Sequence, residues 1–307
     1  MYRLIYSYHI ILSKYFKSDS ITIRLYKRLA EKILIIYFLL NPFKPRLVSN
    51  NEAPDLIVSL TTFPPRVGKV WMAIESILYQ SKKPDKVIIW LAKDEFESKR
   101  TLPIRLLRLQ KRGLEIRFVQ ENLMPHKKYF YTIQKYPAAR VITVDDDLLY
   151  PPDLIDKLLD RNLDYPNAII CPVARRISIG KNRVMKYKYW KKVTSNSLPN
   201  HILLTIGAAG VFFPVNCLSK KAFNADKIKS TALKADDLWI KVMALLNDTK
   251  VVSLAADFPY SYLPIFHEDN QNLMDANIEG GNNDFVFQVL LKEYNIQLDE
   301  ILEKRRG

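Results

Sequence analysis

Between Asp55 and Ala174 one unit recurs: a short apolar run, a polar break, then a stretch of helical periodicity. The runs are DLIVSL, KVIIWLA, LEIRFVQ, RVITV and NAIICPVA. They are short and nearly continuous, the pattern of strands buried on both faces of a parallel sheet. Between them, Val67 to Gln80 puts Val67, Val70, Trp71, Ile74, Ile77 and Leu78 on one helical face. LPIRLLRLQKRG ends at Gly113, a natural helix stop. KKYFYTIQKYP stops before Pro137, and PPDLIDKLLDRN carries proline at its first turn. Strands and helices alternating at this spacing predict a doubly wound α/β layer with a mostly parallel sheet covered on both faces. Beyond Ala174 the pattern loosens. TIGAAGVFFP reads as a tight turn and a strand, DDLWIKVMALLN as a helix, KVVSLAA as a strand and NDFVFQVLLKEYN as a final helix.

A chain of 307 residues, 48% hydrophobic and 26% charged, has an ordinary globular composition, so disorder and fibrous classes are excluded. With 8 glycines and neither GxxxxGK nor GxGxxG, a P-loop ATPase or a standard dinucleotide-binding dehydrogenase is disfavoured. Cys171 and Cys217 are too few for a disulfide framework or a Cys-rich zinc site, which suits a reducing compartment.

The net charge of +15 is concentrated. Residues 1–48 hold nine Lys/Arg against Asp19 and Glu31, and residues 175–192 hold eight with no acid. The remainder balances at thirty against thirty. Nucleic acid, anionic lipid and phosphorylated substrates are all partners for such patches. The N-terminal stretch mixes Ile, Leu, Tyr and Phe with Lys and Arg, and its longest apolar run, Ile33 to Leu40, is eight residues. Spanning a bilayer takes about 20. One or two amphipathic helices lying on an anionic membrane surface are expected over residues 1–50, with packing on the following domain or dimerisation as the alternatives. Asn41-Pro42 and Lys44-Pro45 end this segment, and residues 51–307 are expected to form the catalytic domain.

RVITV runs directly into Asp145-Asp146-Asp147, and ligands of open α/β sheets bind beyond the carboxyl ends of the strands. Three adjacent carboxylates repel and call for a cation. Hard oxygen ligands suit Mg2+ or Mn2+. On an extended backbone Asp145 and Asp147 point to the same side and would clamp one ion, which neutralises a diphosphate leaving group. The structural alternative is an Asp-rich lead into the next helix without metal.

VITVDDDLLYP resembles the DXD region of GT-A glycosyltransferases. IVSLTTFPPR, PHKKYFYTIQKYP, ADDLWI and GGNND extend the likeness to bacterial members often associated with surface polysaccharides, over residues 55–295. The resemblance implies a single GT-A domain, Rossmann-like, with residues 51–170 binding the nucleotide-sugar and residues 171–307 the acceptor. It implies that Thr61, Thr62, Arg66 and Asp94 line the donor, with Lys127 and Lys128 at a helix start suited to phosphate. Asp145 and Asp146 would face the donor, Asp145 and Asp147 would hold the metal, and His267 would be a further ligand. Surface salt bridges and solvated helix charges are the alternatives for Arg66 and the two lysines.

In the second half, Asp236 and Asp237 open a helix. The resemblance allows an inverting or a retaining reaction, and inversion is favoured: a carboxylate takes the proton of the attacking hydroxyl, Asp237 first and Asp236 as alternate. Asp is also a favoured helix cap. Gly207 and Gly210 resemble a turn that lets backbone approach the sugar, and Trp239 is a candidate for stacking on it, against a role in the core. The activity implied is transfer from a UDP- or GDP-sugar to a glycan or a lipid-diphosphate-linked acceptor, at the cytoplasmic face of the cell membrane. The enzyme rivals lack their signatures. A sugar-phosphate nucleotidyltransferase wants a Gly-rich loop where TTFPPR stands, and a DxDx[TV] phosphatase wants Thr or Val where Leu149 stands. A nucleic-acid-binding module, the rival from another class, wants basic charge on a domain that is neutral outside two segments.

Overall fold

The computed structural model describes residues 1–16, 20–47, 53–180, 183–258, 262–267 and 282–297. Gly280 and Gly281 of the GGNND stretch, and Lys181 and Asn182 of the basic segment, lie outside the described residues.

All five expected strands form: β1 Leu56–Thr61, β2 Lys86–Ala92, β3 Leu114–Val119, β4 Arg140–Thr143 and β5 Ile169–Cys171. Two strands of the less regular half, β6 Val211–Phe213 and β7 Val251–Ser253, complete a seven-stranded sheet. Its order is β7-β5-β6-β4-β1-β2-β3. β6 runs antiparallel to both β4 and β5; the other neighbours are parallel. The chain winds outward from β1 through β2 to β3, then returns to β4 on the other side of β1. That reversal opens a crevice beyond the carboxyl ends of β1 and β4.

The helices are α1 Tyr2–Tyr15, α2 Ile21–Leu40, α3 Val70–Leu78, α4 Ile104–Leu109, α5 Lys127–Lys135, α6 Leu154–Asp164, α7 Asp236–Leu246 and α8 Asn282–Glu293. Alternation along the strands divides the core in two. Val58, Leu60, Val87, Ile89 and Ile142 join the cluster that includes α3 and α6. Val141, Ile169 and Phe213 join the other, with Tyr129 of α5 and Trp239 of α7.

Two expected elements are shorter. The helix expected from Val67 to Gln80 divides into a turn at Pro64–Val67 and α3. NAIICPVA bends at Pro172, which has no amide hydrogen to continue the ladder. Ala174–Arg176 instead pairs with Lys191–Lys192 and Leu203–Thr205 in a separate three-stranded sheet, which carries much of the basic segment.

The N-terminal segment is two helices, as its periodicity suggests, and one face of the pair packs on the domain. Tyr2, Tyr6, Leu34 and Phe38 join the core cluster on the α3 side. The Tyr2 hydroxyl donates to the Tyr150 carbonyl. Among the described residues, no helix is long and apolar enough to cross a membrane.

Candidate functional site

The backbone leaves β4 extended, with the Val144 amide bonded to the Ser59 carbonyl, and bends at Asp146–Asp147. The backbone is therefore not extended through all three aspartates, the condition on which Asp145 and Asp147 were expected to share a side, and the two engage different cations. Asp145 takes a hydrogen bond from Lys128 Nζ at 2.7 Å, whereas Asp147 takes one from Arg66 at 2.8 Å. Asp146 turns inward, accepting from Thr62 Oγ1 at 2.5 Å and from Arg66 at 2.9 Å. Thr62 and Arg66 follow β1, so the crevice between β1 and β4 brings the two predicted motifs together.

Desolvation raises the Asp146 carboxyl, and the Arg66 charge and Thr62 hydrogen bond work against it. Burial, then the Asp145 charge, pushes Asp147 up to about 6. The loop is thus short of positive charge even with Arg66 beside it.

The second acidic pair arrives from the opposite side. α7 begins at Asp236, whose Oδ2 lies 3.1 Å from Lys128 Nζ. One buried ammonium therefore joins the strand-end loop to the helix start. Burial alone would depress Lys128; the Asp145 and Asp236 carboxylates hold it above its ordinary value. Burial works against Asp236 ionisation as well, yet Lys128 and His126 keep its carboxyl low. Asp237 goes the other way: burial first, then the Asp236 charge, raises it well above the carboxylate range.

The antiparallel β6 supplies the third wall, because its entry loop lies at this same edge of the sheet. Asp237 Oδ1 accepts from the Gly207 amide at 2.9 Å. A methyl group on Gly207 would sit 3.1 Å from that oxygen and 3.2 Å from Lys128 Nζ, so a larger residue would have to displace those groups by a few tenths of an ångström. Gly210 has φ +92°, in the range that favours glycine, and turns the chain into β6.

Other expected residues lie further out. Lys127 Nζ bonds to Asn122 Oδ1 at 2.7 Å and Glu95 Oε2 at 3.1 Å, linking the loops after β2 and β3. Exposed Asp94 accepts from Asn122 at 3.3 Å in the same loop pair. Thr61 Oγ1 donates to the Trp90 carbonyl at 2.7 Å. Trp239 is a correction: it is 0% exposed, with its indole N–H on the Ala222 carbonyl and its ring against His126 and Tyr294. No sugar reaches a ring face packed in the core.

His267 enters through a short ribbon in which Leu263 pairs with Leu149 and the Ile265 amide donates to the Asp147 carbonyl at 2.7 Å. Its Nε2 is buried with no hydrogen-bond partner. Burial, then the Arg66 and Lys69 charges, lowers its pKa to about 4, so the ring is neutral at pH 7. Sequence reasoning assigned no role to Tyr150. Its hydroxyl accepts from the Asp145 amide at 2.6 Å and donates to the Ala208 carbonyl at 2.9 Å, tying the acidic loop to the glycine loop. Its position inside DDDLLYP was the available signal.

The donor chemistry fits a hard divalent ion. Asp145 and Asp147 are carboxylates on a mutually repelling loop, and the orphaned neutral imidazole of His267 is a competent third ligand. Among the described residues no three such side chains converge on one point, because Arg66 and Lys128 now engage the carboxylates.

No protein-family model matches the chain, and no curated protein matches it. Solved structures of S. aureus TarS are similar in shape. One aligns with a TM-score of 0.44 at 14% identity, covering 68% of this chain and 36% of that one. TarS 1–349 gives 0.41 at 10% identity, and its complex with UDP gives 0.42 at 6%, each covering 68% of this chain and 59% of that one. The chain thus spans between about a third and three fifths of the proteins it resembles, and scores below 0.5 leave the reading of the site to its own geometry.

Proposed function

We infer that the protein is a GT-A-type glycosyltransferase that moves a sugar from a UDP- or GDP-linked donor to a hydroxyl of a glycan or lipid-diphosphate-linked acceptor. One observation carries this reading. Two Asp clusters meet at Lys128 where the antiparallel strand enters a parallel sheet, and in the second of them Asp237 is pushed up in pKa while Asp236 beside it is held low. Opposed environments for like groups are the mark of divided roles.

Thr62 and Arg66 stand where the donor diphosphate would lie, and Arg66, released from Asp147, would pair with it in bidentate fashion. Asp145, Asp147 and His267 would hold Mn2+ or Mg2+, whose charge offsets that of the diphosphate leaving group. Asp237 is the base. Its carboxylate takes the proton of the acceptor hydroxyl as that oxygen bonds to the sugar C1, and the bond from C1 to the diphosphate oxygen breaks with its electron pair on the diphosphate. Attack opposite the leaving group gives inversion. The Gly207 amide orients Asp237, and burial beside the Asp236 charge raises its proton affinity, which favours a proton acceptor.

A panel of nucleotide-sugars, followed by nucleotide release with and without Mn2+, tests the class. One donor turning over only with metal supports the reading. Silence across the panel together with no binding of UDP or GDP in the presence of Mn2+ refutes it.

A further inference from the structure

The N-terminal helices are apolar on two opposite faces, and the domain covers only one of them. On α1 the buried positions are Tyr2, Tyr6, His9 and Ser13, while Leu4, Tyr8, Ile11 and Tyr15 lie exposed at the same spacing on another face. On α2 the buried positions Ile23, Ala30, Leu34 and Phe38 are opposed by exposed Leu25, Leu29, Ile36 and Leu40. Leu4 is 72% and Leu40 75% exposed. Between the helices runs a groove of about 260 Å³, lined by Leu4, Ile5 and Tyr8 of α1 and Tyr26, Leu29 and Ile33 of α2. A helix with a second apolar face left exposed presents an interaction surface.

The charges beside this patch identify its occupant. Arg24, Arg28 and Lys32, four residues apart, are exposed along one flank of α2, Arg28 also lying over the Phe266 ring at 5.6 Å, and Arg3, Lys44 and Arg46 are exposed nearby. The acid among the described residues of this segment, Glu31, is buried on the inner side, accepting from the Phe266 amide at 3.0 Å and lying 3.7 Å from Lys69. The outer surface therefore carries apolar groups and cations. A second copy packed through a two-fold would set one cationic stripe near another, whereas anionic headgroups neutralise it. We propose that α1 and α2 lie in the interface of an anionic bilayer, with Leu25, Leu29, Leu4 and Tyr8 entering the acyl boundary and Arg24, Arg28 and Lys32 pairing with headgroups.

The inner face of the same helix reaches the active site. Glu31 holds Phe266, beside His267, in the ribbon bonded to the Asp147 carbonyl. A helix is about 10–12 Å across, so the bilayer lies roughly one helix thickness from this wall of the site. This deepens the reading of a lipid-linked acceptor, and it rests on that reading only for the acceptor.

The test is sedimentation of the full chain with vesicles of phosphatidylcholine alone and with 30% phosphatidylglycerol. Binding to the anionic vesicles is expected, with loss of at least about tenfold in affinity for Arg24→Glu/Arg28→Glu/Lys32→Glu and for Leu25→Ser/Leu29→Ser. Thermal melts matching wild type show that these exposed substitutions leave the fold intact. Absence of vesicle binding, binding indifferent to both variants, or self-association abolished by both without vesicle binding overturns the proposal. Docking by a protein that neither turns over a nucleotide-sugar nor binds UDP or GDP with Mn2+ leaves this inference standing and removes the transferase reading, so the two fail separately.

Discussion

The two acidic clusters are built from the same residue and behave differently. Asp145–Asp147 lies on a bent loop at a strand end, with Asp145 and Asp147 side chains 29% and 31% exposed and an arginine within reach of solvent. Asp236–Asp237 starts a helix and is half-buried, with Asp236 fixed to a buried lysine and Asp237 to a backbone amide. An open loop with excess negative charge suits a ligand that brings cations and phosphates. A half-buried pair with its pKa values driven apart suits proton transfer. Lys128 belongs to both clusters, so each is sensitive to changes in the other.

The comparison breaks most sharply at Asp237. Asp237→Asn should lower kcat by about 10²–10⁴, the usual worth of a positioned general base, and leave donor KM nearly unchanged. Steady-state kinetics on the donor found by the panel reads both. Lys128→Met comes next. It leaves Asp145 and Asp236 facing each other without a cation, and removing one partner of a buried pair costs about 3–5 kcal/mol in urea unfolding. The sign with pH is fixed. Without Lys128 the folded-state pKa of Asp236 rises above its unfolded value, so the loss is greatest at neutral pH and shrinks as the solution is acidified.

Tyr150→Phe should cost less, about 1–3 kcal/mol, because it strips the Asp145 amide and the Ala208 carbonyl of a shared partner. If Tyr150 couples the loops, kcat falls along with stability; a loss of stability alone would reduce it to a packing residue. The smallest effect is a shift. The base works ionised, so activity rises with pH through the Asp237 pKa. Asp236→Asn removes the charge that, after burial, raises that pKa. The acid limb of the kcat profile should move to lower pH, and a limb that stays in place would separate the two carboxylates.

The sheet was legible because five strands show as short, nearly continuous apolar runs, interrupted most in the edge strand β3 by Glu115 and Arg117, and Asp145–Asp147 because a charged triplet at the end of such a run has few structural uses. The partners of each Asp were not legible. Whether Asp145 and Asp147 share a side depends on a bend after Val144, and local sequence does not encode where that bend aims them. β6 is three residues long, and its antiparallel insertion between β4 and β5 is a tertiary choice. Trp239 misled because an indole suits a sugar face and a core equally, and only packing decides. Lys128 looked like a phosphate ligand at a helix start; burial between two carboxylates makes it the link instead. The N-terminal helices showed their mixed apolar and basic character in sequence, but periodicity alone did not show two separate apolar faces.

The central claim is that the loop binds and the helix start reacts. Calorimetric titration of UDP and GDP with Mn2+ into wild type, Asp147→Ala and Asp237→Asn tests it most directly. The account predicts that one nucleotide binds wild type and Asp237→Asn alike in a metal-dependent way, and that Asp147→Ala loses this binding. Equal loss in both variants, or metal-dependent binding that survives Asp147→Ala, would contradict the division of roles.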